Sequence, residues 1–321
     1  MKFAKFAAVF LLSVALLTAA FITIFSSADT NEDLSDSKTD ISTDVVSDSS
    51  ELNNTDAAIE SITSQDNDSS SSEDTSATDN TETEKTVLGE VNAGDASLLN
   101  DQAVTWGPGA NFNDANQPTA CVSLQEKYGD LGAVFLHGDN KIYLTFDLGY
   151  ESGYTNDILD VLKANNVKAT FFLTGSYARN QDEIIQRIID EGHTVGNHSN
   201  THPDMTTVSD EQVADEIMQV HNVIKDKYGY ESYLFRFPAG AFSEKTLAIA
   251  AQNGYHSVFW SFAYNDWDNA NQPDAAEALK KTTERLHPGA VYLLHPMETN
   301  SLILDSLIKA AQGKGNEIGV M

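Results

Sequence analysis

The stretch IYLTFDLGYESG, residues 142–153, decides how this chain folds. Ile142 to Leu148 is apolar or β-branched except for Asp147, and Gly149 then signals a turn. A short apolar run bounded by a turn signal reads as a strand buried on both faces, the kind found in parallel sheets covered by helices. An acid at the carboxyl end of such a strand lies where α/β folds build their sites. The neighbour of that acid, Leu148, is apolar.

Outward from this stretch, further strand-like runs recur: KATFFLTG (168–175), TVGNHS (194–199), LFRFP (234–238), HSVFWSF (256–262) and AVYLLH (290–295). Helical patterns separate them, at NDILDVLKANN (156–166), DEIIQRIIDEG (182–192), DEQVADEIMQVHNVIKDKYG (210–229) and EKTLAIAAQNG (244–254). Ile184, Ile185, Ile188 and Ile189 give one of these helices a single apolar face. Gly192 and Gly254 read as C-terminal caps. Strands alternating with helices predict an α/β fold with a parallel sheet, open or closed into a barrel.

The strand ends carry the chemistry. Asp147 follows the first strand, His198 and His202 the third, and Arg236 lies near the end of the fourth. Asp266 and Trp267 follow the fifth, and His295 ends the last. Singly, each has a bland explanation as a turn residue, a satisfied partner or a solvated charge. On one rim they make an acid/base set. Two imidazoles at i, i+4 meet at one point if the segment turns helically, which suits zinc or another divalent metal. Asn197 and Ser199 stand ready to support the ring orientations. A bound metal acidifies water and polarises a carbonyl. Asp147 then serves as proton acceptor and His295 as proton donor. Arg236 is placed to keep Asp147 ionised, and Asp266 to hold His295 in one tautomer. Trp267 offers a flat apolar face to a sugar ring.

The order of these motifs resembles the NodB-type polysaccharide deacetylases, carbohydrate esterase family four. TFDLG (145–149), HSNTH (198–202), RFPAG (236–240), NDW (265–267) and LLH (293–295) each match a family motif in order. The lead-in VTWGPG (104–109) and WSFAYNDW (260–267) are similar to the sporulation branch of muramic acid de-N-acetylases. The resemblance implies a distorted (β/α) barrel of about seven parallel strands over residues 104–321. It implies metal-dependent de-N-acetylation of a peptidoglycan strand, with N-acetylmuramic acid as the sugar and the muramic δ-lactam of spore cortex as the destination. An N-acetylglucosamine deacetylase and a glycan-binding module without catalysis are the alternatives. Asp147 takes the role of base, His295 of acid, and His198 and His202 of metal ligands. Ala239, Gly240, Tyr150 and Trp267 fall where substrate is met, with the Ala239 backbone as an oxyanion donor. Two positions depart from the family pattern. Leu148 replaces a carboxylate metal ligand and Ala263 an acid of the fourth motif. The metal, taken as Zn2+, is therefore expected to be weakly held, and Glu151 is a candidate substitute ligand.

Composition frames these expectations. The formal net charge of the 321-residue chain is −29. Residues 29–84 carry seventeen acids and one base, Lys38. Such a surface repels phosphate, so a nucleic-acid partner is excluded. Residues 29–103, rich in Ser, Thr, Asp and Glu, cannot bury enough apolar surface to offset chain entropy and read as a disordered linker. Ahead of it, Lys2 and Lys5 precede twenty uncharged residues, Phe6 to Phe25, and then Ser26-Ser27-Ala28. Residues 1–28 thus read as a membrane anchor or a cleaved signal, with the remainder exported to the cell wall. Cys121 is the single cysteine, so no intrachain disulfide forms, and it reads as a buried bystander. The catalytic domain is expected to act as a monomer.

Overall fold

The computed structural model describes Leu88, Val91 and residues 94–321. The leader expected at 1–28 and nearly all of the linker expected at 29–103 lie outside the described residues. Among the described residues, no helix is long and apolar enough to cross a membrane.

Strand β3 (Ile142–Leu148) is the centre of the sheet and is buried at every position. It pairs in parallel with β4 (Thr170–Leu173) and with β9 (Ala290–Leu294). The sheet then continues through β5 (Thr194–Asn197), β6 (Leu234–Phe235) and β8 (His256–Val258) to β2 (Ala133–Val134). The sheet curls, and hydrogen bonds draw its two ends together. Ser261 N–H donates to the Val291 carbonyl at 2.9 Å, Leu293 N–H to Phe262, and His137 N–H to Gly289. The result is a distorted barrel of parallel strands, as the alternation of strands and helices predicts. A short strand β10 (Ile318–Gly319) pairs with the lower part of β3. Two outlying strands, β1 (Val104–Thr105) and β7 (Ala241–Phe242), form an antiparallel pair.

Strand alternation sorts β3 into two faces. Ile142, Leu144, Phe146 and Leu148 enter an outer core with helices α2 (Thr155–Ala164), α4 (Asp182–Asp190) and α8 (Glu298–Gly313). Full burial of each such side chain is worth roughly 1.5–3 kcal/mol. Tyr143 faces inward with Phe172, Leu234, Val258 and Val291. Thr145 hydrogen-bonds across to the Tyr292 carbonyl, and Asp147 ends the same inward row. The strand therefore delivers the acid to the barrel mouth and the leucine to the outer core.

The expected helices form with shorter ends. Helix α5 (Asp210–Tyr228) starts on a Ser209/Gln212 capping box and stops at left-handed Gly229. Helix α6 (Glu244–Gln252) also starts on a capping serine, Ser243. Helices α1 (Thr119–Tyr128), α3 (Gly175–Asn180), α7 (Ala275–Glu284) and α8 are additions to the sequence reading. The strand expected at 234–238 keeps only Leu234–Phe235, because Pro238 has no N–H for a ladder and begins a 3-10 turn. Packing also reaches upstream of residue 104. Ala96 is buried, Ser243 Oγ hydrogen-bonds Asp101, and Gln252 donates to the Gly94 carbonyl.

Gly196 in β5 is required by a close approach. A Cβ there would lie 2.5 Å from the ring of Phe172, which is itself fully buried. Replacing Gly196 with Ala is expected to lower stability by about 1–3 kcal/mol through overpacking. Urea unfolding would show this as a lower midpoint with an unchanged slope.

Candidate active site

Arg236 organises the mouth of the barrel. It follows β6, where its N–H donates to the Asn197 carbonyl at 2.9 Å, and its side chain is fully buried. Nη1 donates to Asp147 Oδ1 at 2.7 Å, Nε to the Val258 carbonyl at 3.1 Å and Nη2 to the Phe259 carbonyl at 3.3 Å. The guanidinium lies 4.1 Å over the ring of Phe172. A planar fork with several fixed donors satisfies these acceptors together, which a single ammonium does not. Burial alone would raise the Asp147 pKa. Arg236, helped by His198 and His295, outweighs burial and holds the carboxyl below its ordinary range.

His198 is fixed from behind. Its Nδ1 lies 2.8 Å from the Arg236 carbonyl, which can only accept, so Nδ1 carries the proton. Burial lowers its pKa to about 4, so the ring is neutral near pH 7. The bare Nε2 then faces Asp147 Oδ2 at 3.5 Å, acceptor against acceptor. The ring of His202 stands 4.8 Å from that of His198, nearly perpendicular. The two imidazoles do meet, but no helix brings them together. Ser199 and His202 both take positive φ, 65° and 61°, in an irregular loop. Asn197 Oδ1 accepts the Ser199 N–H, and Ser199 Oγ accepts the His202 N–H. Asn197 and Ser199 thus brace the loop backbone, while the Arg236 carbonyl orients the His198 ring.

Among the described residues, no three His, Cys, Asp or Glu side chains close into a ligand cluster. The donors nevertheless fit a divalent cation, because a neutral Nε2 aimed at a carboxylate is stable only with a cation or proton between them. Glu151 does not join them. Its Oε1 accepts the Gly153 N–H at 2.7 Å, and its Oε2 accepts the Thr155 hydroxyl at 2.7 Å and the Tyr177 hydroxyl at 2.6 Å. Both oxygens are engaged, by the turn after β3, by the start of α2 and by Tyr177 of α3, so Glu151 is not a substitute ligand. Leu148 lies in the outer core and lines no part of the cleft.

His295 enters the same cleft from the end of β9. Its Nδ1 is 2.8 Å from Asp266 Oδ1, and its backbone N–H donates to Asp266 Oδ2 at 2.9 Å. Burial would lower the His295 pKa, but the hydrogen bond and charge of Asp266 prevail and raise it. Asp266 is in turn held by Asn300, which the sequence reading missed. No motif points to Asn300, since it comes from the first turn of α8.

Asp147, His198, His202 and His295 line a cleft of about 670 Å³ together with Ala239, Trp260, Ala263 and Tyr264. Tyr150 and Trp267 also line it and are exposed, at 53% and 59%. Ala239 is held at φ 52° and lines the cleft. Gly240, expected to meet substrate, is buried behind the wall instead. It takes φ +68°, and a Cβ there would press on the Trp260 ring at 2.8 Å. The lead-in Trp106 donates its indole N–H to the Trp260 carbonyl and so supports this wall.

A curled parallel sheet with an ionised aspartate, two imidazoles and an Asp–His pair at its mouth is an arrangement suited to hydrolysis. Residues 137–258 match the polysaccharide deacetylase family. The chain is 39% identical over 230 residues to the peptidoglycan-N-acetylmuramic acid deacetylase PdaA of Bacillus subtilis, covering 70% of this chain and 86% of that one. It is 34% identical over 212 residues to a chitooligosaccharide deacetylase of Bradyrhizobium, covering 61% and 93%. The solved structure of Bacillus subtilis PdaA, a family 4 carbohydrate esterase, superposes with a TM-score of 0.65 at 37% identity, covering 69% of this chain and 96% of that one. This chain belongs to the polysaccharide deacetylase family, whose members are in general metal-dependent hydrolases.

Replacing Arg236 with Met is expected to leave Asp147 buried without its cation, at a stability loss of about 3–5 kcal/mol. In the parent chain the lowered Asp147 pKa stabilises the fold above the unfolded carboxyl value, about 3.9, and that stability is lost as pH falls through the folded value. Without Arg236 burial raises that pKa, so the variant loses stability as pH rises. The gap between the two proteins should widen from pH 3 to pH 7 in chemical denaturation.

Proposed function

We propose that this chain de-N-acetylates peptidoglycan at N-acetylmuramic acid, on the outer side of the cytoplasmic membrane. The observation that carries hydrolysis is the pairing of opposite protonation states in one cleft. Asp147 is held ionised by Arg236, and His295 is biased toward its protonated form by Asp266. Two titratable groups pushed apart in this way mark a base and an acid. The muramic acid assignment is supported by the similarity to PdaA over most of that protein's length.

A divalent ion such as Zn2+, held by His198 Nε2 and by His202, would polarise the acetamide carbonyl and acidify water. Asp147 Oδ2 accepts a proton from the attacking water. The backbone N–H of Ala239 stabilises the oxyanion that forms on the carbonyl. Protonated His295 donates from Nε2 to the amide nitrogen as the C–N bond breaks. Acetate and a free 2-amino group result. On a muramic acid whose lactyl carboxyl is open, that amine can close to a δ-lactam. Tyr150 and Trp267 pack against the sugar rings at the cleft edge. An N-terminal membrane tether and a monomeric catalytic domain complete this reading.

The test is acetate release from purified peptidoglycan. Asp147→Asn is expected to slow turnover roughly 10²–10⁴-fold. A chelator should abolish release and added divalent ions restore it. Mass spectrometry of digested product should place the lost acetyl on muramic acid. Its loss from glucosamine would overturn the sugar assignment, and no release with any metal or glycan would leave a binding module.

A further inference from the structure

Asp266 is fully buried, and His295 occupies both its oxygens. One more donor reaches it from α8. Asn300 is 1% exposed. Its Nδ2 donates to Asp266 Oδ2 at 2.6 Å and to the His295 carbonyl at 2.8 Å. Its Oδ1 accepts the Tyr264 hydroxyl at 2.6 Å. Chemistry fixes the orientation of this amide. Turned over, its oxygen would face a carboxylate and a carbonyl, neither of which can donate. Helix α8 has no side-chain cap, so Asn300 does not serve its own helix start.

We propose that Asn300 is a positioning residue that keeps the Asp266 carboxylate aligned on His295, with Tyr264 locking the amide. An amide suits this task better than a cation. It donates two hydrogen bonds without neutralising Asp266, so the full negative charge stays directed at the imidazole. It also grips both members of the pair, the carboxylate of Asp266 and the backbone of His295. Any displacement of one relative to the other strains an Asn300 hydrogen bond. Tyr264 lines the cleft, so the lock connects the acid pair to the substrate wall.

This role rests on the reading of His295 as the acid, and the experiment separates the two. His295 is faced by Asp266, by Asp147 from β3 and by Arg236 after β6. With Asn300→Ala, Asp266 is free to turn from His295. The kcat for acetate release should then fall about tenfold or more with KM within about twofold, the signature of an interaction made in the transition state. The basic limb of the kcat–pH profile should move to lower pH. Imidazole 15N NMR on the free protein reads the same change without turnover, as a lower His295 titration midpoint. Tyr264→Phe keeps the amide but removes its lock, and should shift both readouts less in the same direction. A folded Asn300→Ala protein with unchanged kcat and an unmoved His295 titration would overturn the proposal. If Asn300→Ala does not fold, unchanged values in Tyr264→Phe do so. If the parent protein releases no acetate while the His295 midpoint still drops, the functional reading fails and the positioning role stands.

Discussion

The buried pair of Arg236 and Asp147 is the constraint on which the rest of this molecule depends. Stripping water from two charges costs several kcal/mol per ion, so such a pair is poor evidence of stabilisation. It persists only where further hydrogen bonds satisfy the remaining donors. Here the fold supplies them. Two carbonyls from β8 and its extension take Nε and Nη2, and the Phe172 ring takes the guanidinium face. The curl of the sheet and the identity of residue 236 are therefore one problem. The strands must close enough to bring β3, β6 and β8 around a single planar group. Gly196 permits this, because any larger side chain there would displace Phe172.

From that pair the electrostatics of the cleft follow. There are two carboxylates, and each is given to a different cation. Asp147 belongs to Arg236, which cannot give up its proton, and so Asp147 stays ionised. Asp266 belongs to His295, which can, and so Asp266 favours its partner's protonated form. The same Arg236 also fixes His198, through its backbone carbonyl and not its charge. One residue thus sets the ionisation of Asp147 and the tautomer of His198. Both effects come from where β6 ends.

Much of this was legible in the sequence, for physical reasons that also explain the gaps. Strand β3 is read to its exact ends because an apolar run closed by glycine has few alternatives. The placement of Asp147, His198, Arg236, Asp266 and His295 at one mouth follows from parallel topology alone, since every parallel strand ends on the same rim. What could not be read depends on irregular backbone. The helical turn expected between His198 and His202 fails because two left-handed residues make the bend, and i, i+4 spacing cannot tell a helix from such a loop. Glu151 is close in sequence, but the Gly153 N–H and the hydroxyls of Thr155 and Tyr177 hold it away. Gly240 reads as a substrate contact by its motif but serves a steric need beneath the wall. Asn300 left no trace, because an isolated amide in a helix start gains its meaning only from Asp266, thirty-four residues away.

Leu148 shows how one register decides a site. Beside the family pattern it looks like a ligand lost from the cleft. On this strand, neighbours face opposite sides of the sheet, so a side chain at 148 belongs with Phe146 and Leu144 against the helices. In that apolar surround leucine buries freely, whereas a carboxylate would need a cation brought to it. Leucine is what this backbone calls for there. The inward row offers only one acid, at 147, and that acid is already committed to Arg236. The second and third polar groups come instead from the loop after β5, whose left-handed backbone sets the His202 ring 4.8 Å from that of His198. The irregular backbone is accordingly found at Ser199 and His202, while β3 itself is regular.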